Sequence, residues 1–125
     1  MTDDAQPAHL FVYGTLMPGH KRWPAIQELI VDQWQDHVVG QLYDLGPFPG
    51  ARFDEDARIP GWGMTPAPGT MTQMMAMLDE VEGPGYRRAV VTTGVGREAW
   101  SYELIDVPDC ATPIPAWTRD PADEG

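Results

Sequence analysis

The residue with the clearest capacity for chemistry is Glu82, in the segment LDEVEGPGYRR at residues 78–88. Apolar residues precede it at the i, i+3, i+4, i+7 spacing of one helix face: Met71, Met74, Met75 and Leu78. At about 100° per residue, Glu82 lies about 20° from the direction of Met71, whereas Glu80 points to the opposite side. Glu82 is therefore predicted to face inward with the apolar stripe.

A carboxylate that faces inward at the end of a helix is expected to have a shifted pKa. Burial in an apolar wall disfavours the ionised form, and the partial negative charge of a helix C-terminus acts in the same direction, so both raise the pKa of Glu82. A pKa near neutrality suits a general base. The residues alone leave two other interpretations open: Glu82 extends to water, or it forms an ion pair with Arg87 or Arg88.

A second candidate is the turn Gly14-Thr15-Leu16, which follows the apolar segment HLFVY at 9–13. A glycine directly after a strand allows backbone N–H groups to approach a ligand closely, and successive free N–H groups can form an anion-binding concavity. A carboxylate could bind there. Most glycines at strand ends only make turns, so that interpretation also stays open.

The element that positions Glu82 is a helix predicted over 71–82. Thr70 and Gln73 have the spacing of a capping box at its start, and Gly83 with Pro84 ends it. A second helix is predicted from Pro24, with an apolar face of three residues: Ile26, Leu29 and Ile30.

The other periodic segments predict short strands. They lie at 9–13, 38–45 and 59–65, and a hairpin joins strands 86–93 and 97–105 through residues 94–96. Turns are predicted at Gly46-Pro47 and Pro49-Gly50, a loop at 51–60, and a tail from 107 that wraps around the fold with Trp117 as its anchor. Five residues are predicted to share the core: Leu10, Val12, Leu42, Leu78 and Val90.

Composition limits the function classes. The 125 residues suit one α/β domain over 1–125, with 1–8 and 107–125 as peripheral tails. Nineteen Asp and Glu against eight Lys and Arg give a charge of −11, which opposes binding to nucleic acid or an anionic membrane. The N-terminus has no basic and apolar leader pattern, and no apolar run approaches about 18 residues, so a soluble, cytoplasmic protein is predicted.

Several familiar chemistries lack support. His9, His20 and His37 are far apart in sequence, so no metal site is predicted. Cys110 is the only cysteine and cannot form an internal disulfide. GxSxG, GxGxxG and GxxxxGK[ST] motifs are absent. What remains is a site that moves a proton and holds a small anion.

These residues carry a resemblance to a known family. YGTL at 13–16, GQLYDLGPFPG at 40–50 and LDEVEGPGYRR at 78–88, followed by the AWSYEL strand, resemble the AIG2-like branch of the gamma-glutamylcyclotransferase family over most of residues 10–105. The resemblance implies a small mixed α/β fold, with a compact β-barrel, flanking helices and a pocket at the barrel mouth. It implies no cofactor.

The resemblance also implies a reaction. Enzymes of this family release 5-oxoproline from γ-glutamyl amides, because the α-amine of the γ-glutamyl group attacks its own γ-carbonyl. By the match, Glu82 is the general acid/base, the N–H groups of Gly14, Thr15 and Leu16 grip the γ-glutamyl moiety, and Tyr13 lines the pocket. Tyr86 would hydrogen-bond to substrate or to Glu82. The implied partner is a small γ-glutamyl compound, and monomer and homodimer both stay open.

Two departures from the family pattern bear on pocket shape. Met17 stands where relatives often have a basic residue, and the segment GWGMTPAP at 61–68 replaces a smoother strand. Two other function classes also remain. One is a non-enzymatic module that binds a small acidic metabolite on the same fold, and the other is a protein-interaction domain that exposes an apolar patch.

Overall fold

A computed structural model describes residues 7–46 and 48–117. The strands in these ranges are β1 (His9–Val12), β2 (Ile30–Val39), β3 (Gln41–Asp44), β4 (Pro49–Arg52), β5 (Arg58–Pro66), β6 (Tyr86–Thr92), β7 (Glu98–Leu104) and β8 (Thr112–Ile114). The α-helix described is α1 (Met71–Glu82), and two single-turn 3-10 helices precede β2 at Trp23–Ala25 and Gln27–Leu29. The fold is mixed α/β, as predicted.

The strands form two sheets. The larger has the order β2-β5-β1-β7-β6, in which β1 and β7 are parallel and the other pairs antiparallel. The smaller has the order β4-β3-β8 and is antiparallel. Among the described strands the two ladders stay separate, so the closed barrel implied by the resemblance is not formed. The central position of β1 brings its C-terminal end, and the turn that follows, to the middle of the larger sheet.

The core lies between the sheets and α1. Met74, Met75 and Leu78 are fully buried on one face of the helix, which confirms its predicted apolar stripe. Leu10, Val12, Leu42 and Leu78 belong to the core as predicted, but Val90 is 50% exposed and its neighbour Val91 is 8% exposed. Side chains alternate between the faces of a strand, so burying Val91 turns Val90 to solvent.

The helix predicted from Pro24 is wrong. Pro24 is the second residue of a short 3-10 helix, Trp23–Ala25, and β2 begins at Ile30. β2 pairs with β5 from Ile30 to Val39, with an irregularity between Ile30 and Asp32. A long ladder of backbone hydrogen bonds thus prevails over a local helix-start signal. Ile26 is fully buried, so its apolar character serves packing between the 3-10 turns and the core.

The middle of the chain contains more strand than predicted. The segment 38–45 is divided between the end of β2 and β3, and the predicted turn at Pro49-Gly50 begins β4. The predicted loop at 51–60 is therefore only partly correct, because β4 enters it and β5 begins before its end. Pro47 lies outside the described residues. The strand predicted at 59–65 is confirmed within β5.

The hairpin of β6 and β7 is confirmed, with Tyr86 opposite Leu104 and Thr92 opposite Glu98. The tail is not wholly irregular, since β8 pairs with β3 through Ile114 and Leu42. Trp117 is buried, as predicted for an anchor. Parts of both predicted tails, residues 1–6 and 118–125, lie outside the described ranges.

Helix α1 has 12 residues. Within residues 7–46 and 48–117, no helix has the length and apolarity needed to cross a membrane.

Candidate active site

A cavity of about 200 Å³ opens where the end of β1, the end of α1 and the starts of β4 and β6 meet. It is smaller than the about 300–1,000 Å³ of pockets for drug-sized ligands, so its size suits a group as small as an amino acid. All six site residues predicted from the sequence line it: Tyr13, Gly14, Thr15, Leu16, Glu82 and Tyr86.

Glu82 is the last residue of α1. Gly83 follows with φ of 80° and donates its N–H to the carbonyl of Asp79 at 3.1 Å, which closes the helix in a conformation that glycine adopts readily. The apolar stripe of the helix is buried against the core, so the geometry of the last turn directs Glu82 into the cavity. The fold, and not a polar partner, holds the carboxylate there.

The electrostatics of Glu82 follow from that position. Burial raises the pKa of Glu82 from its usual 4.5 to about 7, and the positive charge of Arg22 opposes this shift only in part. Within the described residues, the carboxylate has no hydrogen bond and no ion pair. The alternative of an ion pair with the following arginines is excluded, because Arg87 pairs with Glu103 at 3.0 Å and Arg88 with Asp79 at 2.6 Å. Glu82 can therefore exchange a proton near neutral pH.

The last turn of α1 is fastened by Asp79. Its carboxylate accepts three hydrogen bonds from Nε and Nη2 of Arg88 on β6, and the Tyr102 hydroxyl on β7 donates to it at 2.7 Å. Hydrogen bonding from Arg88 lowers the pKa of Asp79, so this carboxyl stays ionised at neutral pH. Asp79 thus links the helix end to two strands and holds the turn that carries Glu82.

Tyr13 forms one wall of the cavity at the end of β1. Its hydroxyl donates to the Tyr102 carbonyl at 2.7 Å, and burial, with a smaller contribution from Glu82, raises its pKa well above the usual value. Tyr13 is therefore a neutral phenol whose proton is already bound to backbone. Tyr13 lines the cavity, and its contact with a substrate stays a prediction.

The turn after β1 lines the cavity with its residues Gly14, Thr15 and Leu16. Met17 donates its N–H to the Gly14 carbonyl at 3.0 Å, and Arg22 donates its N–H to the Thr15 carbonyl at 2.8 Å, so two of the turn's carbonyls are occupied. In the described part of the chain, no backbone carbonyl accepts the N–H groups of Gly14, Thr15 or Leu16. Consecutive N–H groups of this kind suit a carboxylate.

Gly14 is required for a reason that the sequence did not show. A Cβ atom at this position would lie 2.5 Å from Cγ of Pro49, at the start of β4. No real Cβ approaches another carbon so closely, so a side chain at residue 14 would displace the Pro49 ring. Gly14 therefore allows β4 to close one side of the cavity.

Tyr86 lines the cavity from the start of β6, but its hydroxyl donates to the Pro49 carbonyl at 2.8 Å. The predicted alternative of a hydrogen bond to Glu82 is not formed. Burial, with a smaller contribution from Glu82, raises the pKa of Tyr86, so it too remains a phenol. Its ring lies 6.4 Å from that of Phe48, another cavity residue.

Sequence reasoning missed Arg22, which also lines the cavity. Its guanidinium carbon lies 5.9 Å from the centre of the Phe48 ring. Arg22 stands six positions beyond Leu16 in a loop, and only the path of that loop brings it to the site. No sequence pattern predicts the hydrogen bond that the Arg22 N–H donates to the Thr15 carbonyl.

Metal-binding groups do not gather at the site. Across the residues that the structure describes, no three His, Cys, Asp or Glu side chains lie close enough to hold a metal ion together.

Comparison with known proteins identifies relatives of the fold. The model of a family described as gamma-glutamyl cyclotransferase, AIG2-like, matches residues 10–118. The structure of an AIG2-like protein from Mus musculus is 17% identical, with a TM-score of 0.67, over 90% of this chain and 88% of that one. YkqA from Bacillus subtilis is 26% identical, with a TM-score of 0.70, over 90% of this chain and 40% of its own.

One curated relative shares only a short segment. The class 3 fructose-1,6-bisphosphatase of Latilactobacillus sakei is 43% identical over 42 residues. The match spans 30% of this chain and 6% of the length of that enzyme, so it defines neither the fold nor the site.

Proposed function

The chain belongs to the gamma-glutamyl cyclotransferase, AIG2-like family, and on that premise we propose that it is an enzyme that releases 5-oxoproline from a γ-glutamyl amide. One observation carries the proposal: Glu82 presents a carboxylate with a pKa of about 7 to a small cavity that the Gly14–Leu16 turn also borders. A proton carrier and an anion-binding turn thus face the same space.

In the proposed reaction, ionised Glu82 takes a proton from the α-ammonium of the γ-glutamyl group. The freed nitrogen attacks the γ-carbonyl carbon, and a new C–N bond closes the five-membered ring. The bond from that carbon to the leaving amine then breaks while Glu82 returns its proton to the leaving nitrogen. The ring nitrogen loses its second proton, which the released amine takes up to leave as an ammonium. The products are 5-oxoproline and an amine, and no water is consumed.

This chemistry matches the side chains available. The nucleophile belongs to the substrate, so the protein needs no activated serine or cysteine. Ring closure is intramolecular, and a cavity that holds the γ-glutamyl chain folded contributes to the rate through effective molarity. Tyr13 and Tyr86, whose hydroxyls are both bound to backbone carbonyls, would provide rigid walls for that folding.

The turn supplies the proposed anchor. The N–H groups of Gly14, Thr15 and Leu16 would bind the α-carboxylate of the γ-glutamyl group, which fixes the neighbouring α-ammonium at a constant distance from Glu82. Thr15 and Leu16 are 7% and 6% exposed, so this anchor lies in the sheltered part of the cavity. Hydrogen bonds to a carboxylate are stronger there than in bulk water.

The test is product formation by the purified protein. It is incubated with a panel of γ-glutamyl amino acids, γ-glutamyl amines and glutathione, and 5-oxoproline is quantified. Glu82→Gln should keep ligand affinity and lose about 10²- to 10⁴-fold in turnover, the usual contribution of a general acid/base. Glu80→Gln is the matched control, because Glu80 is exposed on the opposite face of α1.

Two results would contradict the proposal. Equal turnover by the wild-type protein and Glu82→Gln would remove the catalytic role of Glu82. Binding of a γ-glutamyl compound without turnover by either protein would favour the other class considered above, a metabolite-binding module.

A further inference from the structure

The cavity has one positive side chain among its described lining residues, that of Arg22. Arg22 affects two ionisable groups that line the same cavity, since its charge opposes the rise in the pKa of Glu82 and of Tyr86. Those effects place the guanidinium in electrostatic reach of the cavity. The family roles assigned above to Glu82 and the turn leave Arg22 without a function.

Within the described residues, Arg22 forms no ion pair with a carboxylate of the protein. Arg52, Arg87 and Arg88 each have an acidic partner within 4.0 Å. Arg22 instead lies against the face of Phe48, a weaker cation–π contact, and forms no hydrogen bond with Glu82 within these residues. Arg22 thus lies beside the cavity that contains the Glu82 carboxylate without pairing with it. It is therefore placed to bind a carboxylate of a ligand.

The position of Arg22 indicates which part of a ligand it meets. Thr15 and Leu16 are buried, whereas Arg22 and Phe48 are only partly buried, so Arg22 lies closer to the opening of the cavity than the turn does. In the proposed function the γ-glutamyl group occupies the turn and Glu82, and the leaving amine extends toward the opening. Arg22 would then contact the leaving amine.

We propose that Arg22 binds a carboxylate carried by the leaving amine, and that the substrates are γ-glutamyl amino acids or peptides rather than γ-glutamyl amines without a carboxylate. This inference rests on the proposed function. A guanidinium presents parallel N–H donors that match the two oxygens of a carboxylate, and packing against Phe48 restricts its freedom before the ligand binds. The preference for substrates with this carboxylate thus depends on one contact, that between the Arg22 guanidinium and the carboxylate of the leaving amine.

The experiment compares two substrates that differ by one carboxylate: γ-glutamylalanine and γ-glutamylethylamine. Charge-assisted hydrogen bonds are worth enough to predict a preference of about 10- to 100-fold in kcat/KM for γ-glutamylalanine. Arg22→Gln should lower the ratio of kcat/KM for γ-glutamylalanine to kcat/KM for γ-glutamylethylamine by that factor. Loss of the Arg22 charge also lets the pKa of Glu82 rise further, but this effect is common to both substrates and cancels in the ratio. Measurable turnover of γ-glutamylethylamine reports that the variant is folded. Arg22→Lys should retain part of the preference.

Arg58→Gln is the control for net charge. Arg58 is exposed, lies outside the cavity and contacts His37, so its loss changes the total charge equally without touching the site. Its kcat/KM ratio between the two substrates should equal that of the wild-type protein.

The outcomes separate this inference from the proposed function. An equal fall in kcat/KM for both substrates in Arg22→Gln would overturn the inference. It would assign Arg22 to the α-carboxylate or to the reacting carbonyl. Turnover without a preference in the wild-type protein would also overturn it while the proposed function stands. If neither substrate yields 5-oxoproline, calorimetry decides: tighter, Arg22-dependent binding of γ-glutamylalanine supports the carboxylate contact alone, and equal or absent binding overturns it.

Discussion

Glu82→Gln should stabilise the protein at alkaline pH, although it removes the proposed catalytic group. The wild-type protein must bury a carboxylate that has no hydrogen bond or ion pair within the described residues, and the cost of that burial appears as the pKa of about 7. Glutamine has nearly the same shape and carries no charge. The substitution therefore removes the cost and keeps the packing.

The magnitude follows from linkage. An acid whose pKa is higher in the folded state holds its proton more tightly there than in the unfolded chain. The contribution of Glu82 to wild-type stability is thus greatest below the unfolded value of 4.5 and falls as pH rises toward about 7. At about 1.4 kcal/mol per pH unit, the full difference is roughly 3 kcal/mol. At pH 8 the variant should gain up to that amount, and at pH 5 less than about 1 kcal/mol by the same relation.

The assay is unfolding by urea and by heat at pH 5, 6, 7 and 8, for the wild-type protein and for Glu82→Gln. For a chain of this size, the expected gain at pH 8 is on the order of 10 °C in Tm. Other titrating groups are common to both proteins, so their effects cancel in the difference. Glu80→Gln, at an exposed position, should show no such pH-dependent gain.

A stability difference that does not grow between pH 5 and pH 8 would refute this reasoning. It would mean that the Glu82 carboxylate is solvated or paired in solution, in contrast to its position in the structure. The proposed general base would then lose its physical basis, since burial is what brings its pKa near neutrality.

Three further predictions concern the same cavity. The kcat/KM of the free enzyme should rise with pH through about 7 and then level, because Glu82 must be ionised to accept a proton; a profile flat from pH 5 to 8 would contradict this. Gly14→Val should abolish binding of a γ-glutamyl ligand and lower Tm, because a Cβ alone would meet Pro49 at 2.5 Å; calorimetry on a variant that binds normally would show the turn to be only a turn. Asp79→Asn should lower kcat several-fold and change stability by no more than about 1 kcal/mol, since its ion pair with Arg88 is partly exposed to solvent; an unchanged kcat would show that the contacts of Asp79 do not position Glu82.

The parts of the site that could be predicted from the sequence are those set by local periodicity. The inward direction of Glu82 follows from helical spacing, and the stop at Gly83 follows from a residue suited to positive φ. The turn after β1 was recognised from a glycine behind an apolar strand. In each case the signal lies within about one helical turn or one strand of the residue concerned.

The parts that could not be predicted depend on contacts between distant segments. β2 replaces the predicted helix from Ile30 because it pairs with β5, about thirty residues away in sequence. β8 forms within the predicted tail because β3 offers an edge. Arg22 reaches the cavity through a loop whose path is set by its hydrogen bond to Thr15. No local pattern encodes these pairings.

The raised pKa of Glu82 depends on the contacts that Asp79 makes at the end of α1. An unpaired carboxylate at a helix end would ordinarily turn toward water, since the last turn of a helix frays easily. Here Asp79, one turn earlier, is bound by Arg88 on β6 and by Tyr102 on β7, so the last turn of α1 is held against both strands. Asp79 is thus ionised and bound to both strands, while Glu82, three positions later, lies in an apolar cavity without a partner among the described residues. The contacts of Asp79 stabilise a position that Glu82 would not adopt for its own solvation, and that position is the one a proton carrier needs.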